Sequence, residues 1–215
     1  MMTNEWIDVS QPLTNDMAHW PEDTPFSYSL TIAKQDSGSV NIGQITTSVH
    51  TGTHIDAPFH FDNDGKRIDE LDVNLYVGEA IVLDVGNVQE ITVETLGNFS
   101  FDGVTRVLLK TSLPNDHTRF PEQIPNLDPR IADFLAEKGI KLIGVDMPSV
   151  DALDSKELPT HHALYTNGIH ILENLMLDNV EQGNYELIAL PLAIKGADGS
   201  PVRAVLRKKT ETDHN

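Results

Sequence analysis

The feature that most constrains this chain is one short stretch, residues 50–60, which carries three histidines and an aspartate. Gly52 and Pro58 both oppose a helix here, because glycine costs backbone entropy and proline lacks an amide hydrogen. In an extended path, side chains alternate between two sides, so every second position faces the same way. That side then carries four polar side chains: His50, His54, Asp56 and His60.

The side chains of this stretch are metal ligands by type, since a borderline divalent ion such as zinc accepts both imidazole and carboxylate. The stretch therefore predicts a metal site, and Gly52 leaves a gap where the ion or a substrate can approach the backbone. The alternative is a polar surface loop with incidental histidines. The helical His-Glu-x-x-His motif of metalloproteases is not matched, because no glutamate follows His50 or His54 at the required place.

The composition is that of one globular domain with an acidic surface. At 215 residues, with 39% hydrophobic and 22% charged residues, the chain is long enough to bury a core. We expect one domain over residues 1–207 and a C-terminal tail over 208–215. The formal net charge of −18 argues against nucleic-acid partners, and no apolar run is long enough for a membrane span. An anionic or zwitterionic ligand would need local positive charge, which bound metal ions would supply.

Cysteine is absent, which excludes disulfides, thiolate ligands and cysteine nucleophiles. The N-terminal residues lack a basic region followed by an apolar one, so we expect no secretory signal and a cytoplasmic location. One basic cluster lies near the C-terminus, and we interpret it as the solvated end of the last strand. It consists of Arg203, Arg207, Lys208 and Lys209.

Periodicity predicts a mixed α/β domain with more strand than helix. The clearest helix opens at Asp128-Pro129, with the aspartate as N-cap, and stops at Gly139. It would join two strands in a parallel strand–helix–strand unit over residues 104–145. A short helix capped by Thr92 is predicted over 93–98. Strands are predicted at 6–9, 26–32, 42–49, 79–85, 104–109, 140–145, 186–192 and 202–206.

Four ligands from one loop leave coordination positions open, so further donors must come from elsewhere. The best candidates lie in segments 158–164 and 168–175. Glu173 has apolar neighbours, where an ionised carboxylate must be paired or metal-bound; a solvated helix face is an equally good reading. At most one of His161 and His162 would face a shared site.

Four further residues have alternative interpretations. Asp146 and Asp151 follow a predicted buried strand and either cap turns, the default, or orient a ligand histidine. Trp20 begins a turn-rich loop. Because large aromatic side chains are usually mostly buried, residue type alone favours a core position for Trp20 over a pocket wall. His170, three residues before Glu173, could share a helix face with it, but a histidine without a role in the site is the stronger interpretation.

The sequence resembles the metal-dependent cyclase family, and within it most closely the bacterial arylformamidase branch. The resemblance runs from Trp6 to about Arg207 and rests first on the signature His-x-Gly-Thr-His-x-Asp-x-Pro-x-His at residues 50–60. It implies a swivelling β/β/α domain with a mixed, strand-rich sheet, and a homodimer or larger assembly. The other matching motifs are Trp20-Pro21, Gly144-Val145-Asp146 with Ser149 and Asp151, His161-His162, and Glu173-Asn174-Leu175.

The resemblance also implies a set of metal ligands. One zinc ion would be held by His50, His54 and Asp56. Asp56 would also reach a second zinc ion, completed by His161 and by Glu173, which would bridge the two. Manganese also accepts such ligands.

By the same resemblance, His60 would be the general acid/base and Trp20 would contact the aromatic part of the substrate. The implied reaction is hydrolysis of N-formyl-L-kynurenine to L-kynurenine and formate by a zinc-activated water, in tryptophan degradation. Two alternatives stay open: a related hydrolase of isatin or another amide, and a metal-binding protein without turnover.

Overall fold

The structure, a computed structural model, describes residues 5–209. Residues 1–4, on which the expectation of no secretory signal partly rests, lie outside the described part, as does the predicted tail from residue 210 onward. Lys208, the first residue of the predicted tail, is the last residue of a strand.

Strands outnumber helices in the described part of the chain. The strands are β1 (Ile7–Asp8), β2 (Ser27–Ile32), β3 (Ile42–Thr46), β4 (His54–Asp56), β5 (Val77–Gly86), β6 (Glu90–Ile91), β7 (Arg106–Thr111), β8 (Asn126–Leu127), β9 (Leu142–Val145), β10 (His170–Glu173), β11 (Gly183–Ile188), β12 (Gly199–Pro201) and β13 (Val205–Lys208). The α-helices are α1 (Lys34–Ser37), α2 (Val93–Leu96), α3 (Ile131–Glu137) and α4 (Pro159–Thr166). Short 3-10 helices span Pro58–His60, Ile68–Glu70 and Val73–Tyr76.

Nine strands form one mixed sheet in the order β1-β13-β11-β5-β7-β9-β10-β4-β12. The central pairs β5–β7, β7–β9 and β9–β10 are parallel, and the remaining pairs are antiparallel. The strand–helix–strand prediction is confirmed, because α3 connects the parallel strands β7 and β9. The predicted mixed α/β class is likewise confirmed.

Side chains of the central strands alternate between two cores, as the pleat requires. In β7, Val107 and Leu109 face one core while Leu108 faces the other. The first core also contains residues of α3, so helices cover that face of the sheet. The second core joins Leu206 of β13 with Ile55 of β4, which lie near opposite ends of the strand order, so the sheet curls over itself.

The start of α3 differs from the sequence prediction, whereas its end and the cap of α2 agree with it. α3 begins at Ile131, two residues after the predicted proline, because Asp128 accepts a hydrogen bond from the amide of Arg130 (2.9 Å) and pairs with its guanidinium. Gly139 follows the helix with a φ of +80°, as predicted for a helix end. Thr92 caps α2 as predicted, accepting a hydrogen bond from the amide of Thr95 at 3.3 Å.

The basic C-terminal cluster is neutralised by carboxylates, as a solvated strand end would be. The pairs are Arg203 with Asp8, Arg207 with Glu186, Lys208 with Glu181 and Lys209 with Glu79. Across residues 5–209, no helix has both the length and the apolar character that crossing a bilayer demands.

Candidate metal centre

Strand β4 carries His54 and Asp56 and lies between β10 and β12. The register places Glu173 of β10 directly opposite His54, and Gly199 of β12 opposite Asp56. Opposed side chains on adjacent antiparallel strands have Cβ atoms about 4.5–5.5 Å apart. Strand pairing between distant parts of the sequence therefore brings Glu173 to the His/Asp stretch.

The His/Asp stretch is not extended throughout, so the prediction of one alternation from residue 50 to 60 is wrong. His50 lies in a turn, and His60 ends the 3-10 helix that begins at Pro58. The alternation breaks because Gly52 has a left-handed φ of +64° and because Pro58 opens a helical turn. The ligand-type side chains converge through this folded path instead.

Hydrogen bonds around Gly52 hold the bend before β4. Its carbonyl accepts from Nδ1 of His54 (2.8 Å) and from the side-chain amide of Asn174 (3.2 Å). The hydroxyl of Thr53 donates to the carbonyl of Asn174 at 2.6 Å. A Cβ on Gly52 would lie 2.7 Å from a methyl carbon of Leu13, so any larger residue here would collide with Leu13.

Two groups of ligand atoms share Asp56. In the first, Oδ1 of Asp56 is 2.9 Å from Nδ1 of His50 and 3.4 Å from Nε2 of His54. In the second, Nε2 of His161 is 3.6 Å from Oδ2 of Asp56 and 3.8 Å from Oε1 of Glu173. Within each group the ligand atoms lie within 4.8 Å of one another. All five residues proposed as ligands thus meet in one place.

Each of the three ligand-type imidazoles is held by an oxygen at one ring nitrogen, and its other nitrogen faces the shared carboxylates. Metal-ligating histidines almost always have such a partner, which fixes the tautomer and the ring orientation. The partners are the carbonyl of Gly52 for His54 (2.8 Å), Oδ2 of Asp151 for His161 (2.6 Å) and Oδ2 of Asp198 for His50 (3.0 Å).

The surroundings of the Asp56 carboxylate indicate whether these residues fit a metal ion. Its Oδ2 is buried and lacks a hydrogen-bond donor among the described residues, a state that costs about 1–3 kcal/mol or more in a protein interior. Two ligands of one tetrahedral zinc ion lie about 3.4 Å apart, given bonds of about 2.0–2.1 Å. Nε2 of His54 is 3.4 Å from both Oδ1 of Asp56 and Oε2 of Glu173. The residues therefore fit a divalent cation.

The electrostatics of the cluster also favour a cation. Burial alone would lower the pKa of both His50 and His161, but their carboxylate partners raise each to about 10. Burial and the charge of Asp56 raise the pKa of Glu173 well above its usual range. Burial would also raise the pKa of Asp56, but the neighbouring imidazoles hold it well below its usual range. An incoming cation must therefore displace protons from this site.

A cavity of about 360 Å³ opens at the site. His50 and Gly52 line it, and so do Trp20 and Phe120, whose rings meet edge to face with centroids 5.3 Å apart. Trp20 is 37% exposed, so the compositional preference for a core tryptophan is wrong. The indole instead forms part of the cavity wall.

His60 lies beside the ligand-type His50, with the two ring centroids 3.9 Å apart and the planes tilted by 36°. Burial lowers the pKa of His60 below its ordinary value. The imidazole is therefore neutral in neutral solution and can accept a proton.

The structure also settles the two readings of the aspartates after β9. Asp151 accepts hydrogen bonds from the amides of Thr160 (2.9 Å) and His161 (3.0 Å) at the start of α4, and its Oδ2 also holds the ring of His161. It therefore both caps a turn and orients a histidine. Asp146 does neither: it accepts from the amide and hydroxyl of Thr111 at 2.8 and 2.9 Å.

Two histidines near the site stay out of the ligand groups. His162 is exposed on α4, while His161 is buried, so only one of the pair faces the site, as predicted. His170 belongs to strand β10, so it shares no helix face with Glu173, and the preferred interpretation, that it has no role in the site, agrees with its absence from both ligand groups. Its Nδ1 lies 3.1 Å from the hydroxyl of Tyr76.

Sequence reasoning did not single out Asp198, which lies between Gly196 and Gly199. Its Oδ2 lies 3.0 Å from Nε2 of His50 and 3.6 Å from Nδ1 of His60. The only local signal was a carboxylate between two glycines, which is also common in plain turns.

Comparisons with known proteins agree with this geometry. A family model described as "Putative cyclase" matches residues 7–152. The chain is 61% identical over 207 residues to a kynurenine formamidase of Bacillus cereus, covering 96% of this chain and 99% of that protein.

Solved structures with the same fold include a predicted metal-dependent hydrolase from Bacillus stearothermophilus, with a TM-score of 0.78, 28% identity and coverage of 95% and 98% of the two chains. Isatin hydrolase A from Ralstonia solanacearum has a TM-score of 0.82 at 22% identity, covering 95% and 92%, which shows the fold alone. The family match, together with the near full-length relative, shows that the chain belongs to the cyclase family.

Proposed function

We propose that this chain is a metal-dependent kynurenine formamidase, which hydrolyses N-formyl-L-kynurenine to L-kynurenine and formate. The observation that carries the proposal is the pair of ligand groups that share Asp56, next to a cavity with an aromatic wall. The 61% identity to a kynurenine formamidase over 96% of the chain supports the choice of substrate.

The cations that we propose are two zinc ions. One would be held by His50, His54 and Asp56, and the other by Asp56, His161 and Glu173. Glu173 suits a bridging role, because Oε2 is 3.4 Å from Nε2 of His54 while Oε1 is 3.8 Å from Nε2 of His161. A divalent ion bound here supplies Lewis acidity, which lowers the pKa of water to about 7 and polarises the amide carbonyl.

His60 is the proton carrier in this proposal. Its neutral imidazole accepts the proton of the attacking water and returns it to the aniline nitrogen as the formyl carbon–nitrogen bond breaks. General acid–base catalysis of this kind contributes about 10²–10⁴-fold to the rate. No side-chain nucleophile is required, which fits a chain without cysteine.

The cavity wall suits an aryl amino acid. Trp20 and Phe120 offer aromatic faces and edges to the aniline ring of the substrate. Arg119 is the one Lys or Arg among the residues that line the cavity. Asp116 and Glu122 also line the cavity, and Arg119 is the residue that can pair with the α-carboxylate of the substrate.

The direct test is release of formate from N-formyl-L-kynurenine, with the purified protein assayed before and after chelation and after zinc or manganese is restored. We expect activity that disappears with the chelator and returns with metal. Isatin, offered in parallel, tests the related hydrolase. Bound metal without turnover of either compound would favour a metal-binding protein and contradict the proposal.

The role of His60 is tested separately. The His60→Ala variant should retain its metal and lose about 10²–10⁴-fold in kcat. If elemental analysis finds that metal is lost with activity, His60 is a ligand and not the proton carrier.

We also propose that the chain forms a homodimer through the hairpin of β2 and β3. Within the described residues, these strands pair with each other but not with the large sheet, and an isolated two-stranded hairpin is marginally stable in water. Two-fold dimers are the commonest assemblies. The large apolar side chains of the hairpin are 43–59% exposed, as an interface between two copies would require. They are Tyr28, Leu30, Ile32, Ile42 and Ile45.

Light scattering on Ile45→Asp tests this interface. We expect a dimer for the parent chain and a monomer for the variant. Val73→Asp is the matched control, because Val73 is 57% exposed but lies outside the hairpin. A parent chain that is monomeric would contradict the proposed dimer.

A further inference from the structure

Asp198 is fixed at the edge of the site by strand pairing. It immediately precedes β12, and its carbonyl accepts a hydrogen bond from the amide of Ala57 at 2.9 Å. Ala57 immediately follows β4, so this bond continues the antiparallel β4–β12 ladder by one step. The backbone therefore holds the carboxylate of Asp198 beside the proposed ligand stretch.

One carboxylate oxygen of Asp198 lies close to the imidazoles of both His50 and His60. Oδ2 lies 3.0 Å from Nε2 of His50, a hydrogen bond, and 3.6 Å from Nδ1 of His60. The second separation is longer than a hydrogen bond, as is common for catalytic pairs before substrate binds. The two rings lie 3.9 Å apart, so one carboxylate can orient both.

The carboxylate of Asp198 accepts a hydrogen bond from Nε2 of His50 and keeps its Oδ2 close to His60. An acceptor oxygen beside Nδ1 of His60 favours a proton on that nitrogen. Nε2 of His60 then keeps a free lone pair, which a proton acceptor requires.

We propose that Asp198 is a positioning residue, which holds His60 in the orientation and tautomer for proton transfer and ties it to the ligand His50. The inference rests on the proposed hydrolytic function of the site. His50, His60 and Asp198 also offer ligand atoms within 4.8 Å of one another. Asp198 is assigned to orientation and not to metal binding, since its side chain is 41% exposed whereas those of Asp56 and Glu173 are 2% and 5% exposed.

The test is a double-mutant cycle of Asp198→Ala and His60→Ala, assayed on N-formyl-L-kynurenine with excess zinc. Excess metal is needed because loss of an oriented partner of a ligand costs about 10–100-fold in metal affinity. If Asp198 acts through His60, its removal should lower kcat by about 10–100-fold and leave KM nearly unchanged. In the His60→Ala background, its removal should then have no further effect on kcat.

Asp198→Glu should recover part of kcat, because it restores the carboxylate. Asp64→Ala is the control, since Asp64 is an exposed carboxylate of the same region whose loss should not alter turnover. Circular dichroism and elemental analysis on every variant report fold and metal content.

Two outcomes overturn the inference: losses in kcat that multiply in the double variant, or Asp198→Ala protein that lacks metal even with excess zinc. A parent protein inactive on N-formyl-L-kynurenine would contradict the proposed substrate instead. The same cycle would then be run on isatin, and it would still decide the role of Asp198.

Discussion

Replacing Gly199 by alanine should weaken metal binding without removing a ligand. A Cβ at this position would lie 2.8 Å from Cε1 of His50 and 3.0 Å from the carbonyl oxygen of Ile55. Ile55 is fixed in the ladder opposite Ser200, so its carbonyl has little freedom to move. The ring of His50 must then retreat from 2.8 Å to the 3.4 Å at which ordinary contact begins, a displacement of about 0.6 Å.

That displacement is large for a metal ligand. Ligand distances are held within about 0.2 Å of their ideal values, so the ring moves by roughly three times the tolerance. We expect the zinc Kd to rise by about 10–100-fold, the size of effect seen when a ligand loses its orienting partner. Competition with a chromophoric chelator, followed by elemental analysis after dialysis against defined free zinc, measures this change.

Gly144→Ala is the matched control, because it overpacks the core away from the ligand atoms. Its Cβ would lie 2.4 and 2.7 Å from methyl carbons of Leu108 and Leu175. We expect a cost of about 1–3 kcal/mol in the free energy of unfolding, with zinc affinity retained. If Gly199→Ala instead binds zinc as tightly as the parent and loses only thermal stability, His50 is not a ligand and the reasoning fails.

Three further changes test other parts of the site. Glu173→Ala should lower metal occupancy, because it removes the proposed bridge; full occupancy by elemental analysis would count against that role. Arg119→Ala should lower kcat/KM for N-formyl-L-kynurenine about 10-fold or more relative to that for formanilide, which lacks the α-carboxylate; an unchanged ratio would place that carboxylate elsewhere. His170→Asn should flatten the pH dependence of the free energy of unfolding. Burial and the positive charge of Lys66 lower the pKa of His170 to about 4, below the ordinary 6.5. The unfolded chain therefore binds a proton that the folded chain does not, and the folded chain loses up to about 3 kcal/mol as the pH falls from 6.5 to 4. Urea unfolding of the metal-free parent and His170→Asn proteins between pH 6.5 and 4 measures this difference. If the free energy of unfolding falls equally with pH in both proteins, His170 is not the group responsible.

The residue types that meet in the candidate site could be recognised from the sequence because residue type is a local property. Three imidazoles and a carboxylate within one stretch indicate a cation whatever path the backbone takes. The path itself was predicted wrongly, because a left-handed Gly52 and a helical turn at Pro58 replace the expected alternation. Ligand identity is thus less sensitive to backbone detail than ligand geometry is.

What could not be predicted depends on contacts between distant residues. Glu173 could be read equally well as solvated or metal-bound, and only the pairing of β10 with β4 decides that it is buried. Asp198 lies 148 residues from the imidazole that it contacts, and nothing in its own neighbourhood distinguishes it from a turn aspartate. The position of Trp20 likewise follows from its contact with Phe120, a residue of a distant loop.

The position of β4 between β10 and β12 has a consequence for how the protein matures. Both neighbours of β4 lie more than 110 residues later in the chain, so β4 leaves the ribosome long before either can pair with it. A nascent chain that ends before β10 lacks Glu173, which we propose as a ligand, and Asp198, which we propose as the residue that orients His60. The proposed site is therefore complete only after the sheet has closed, and a stalled or truncated translation product lacks part of it.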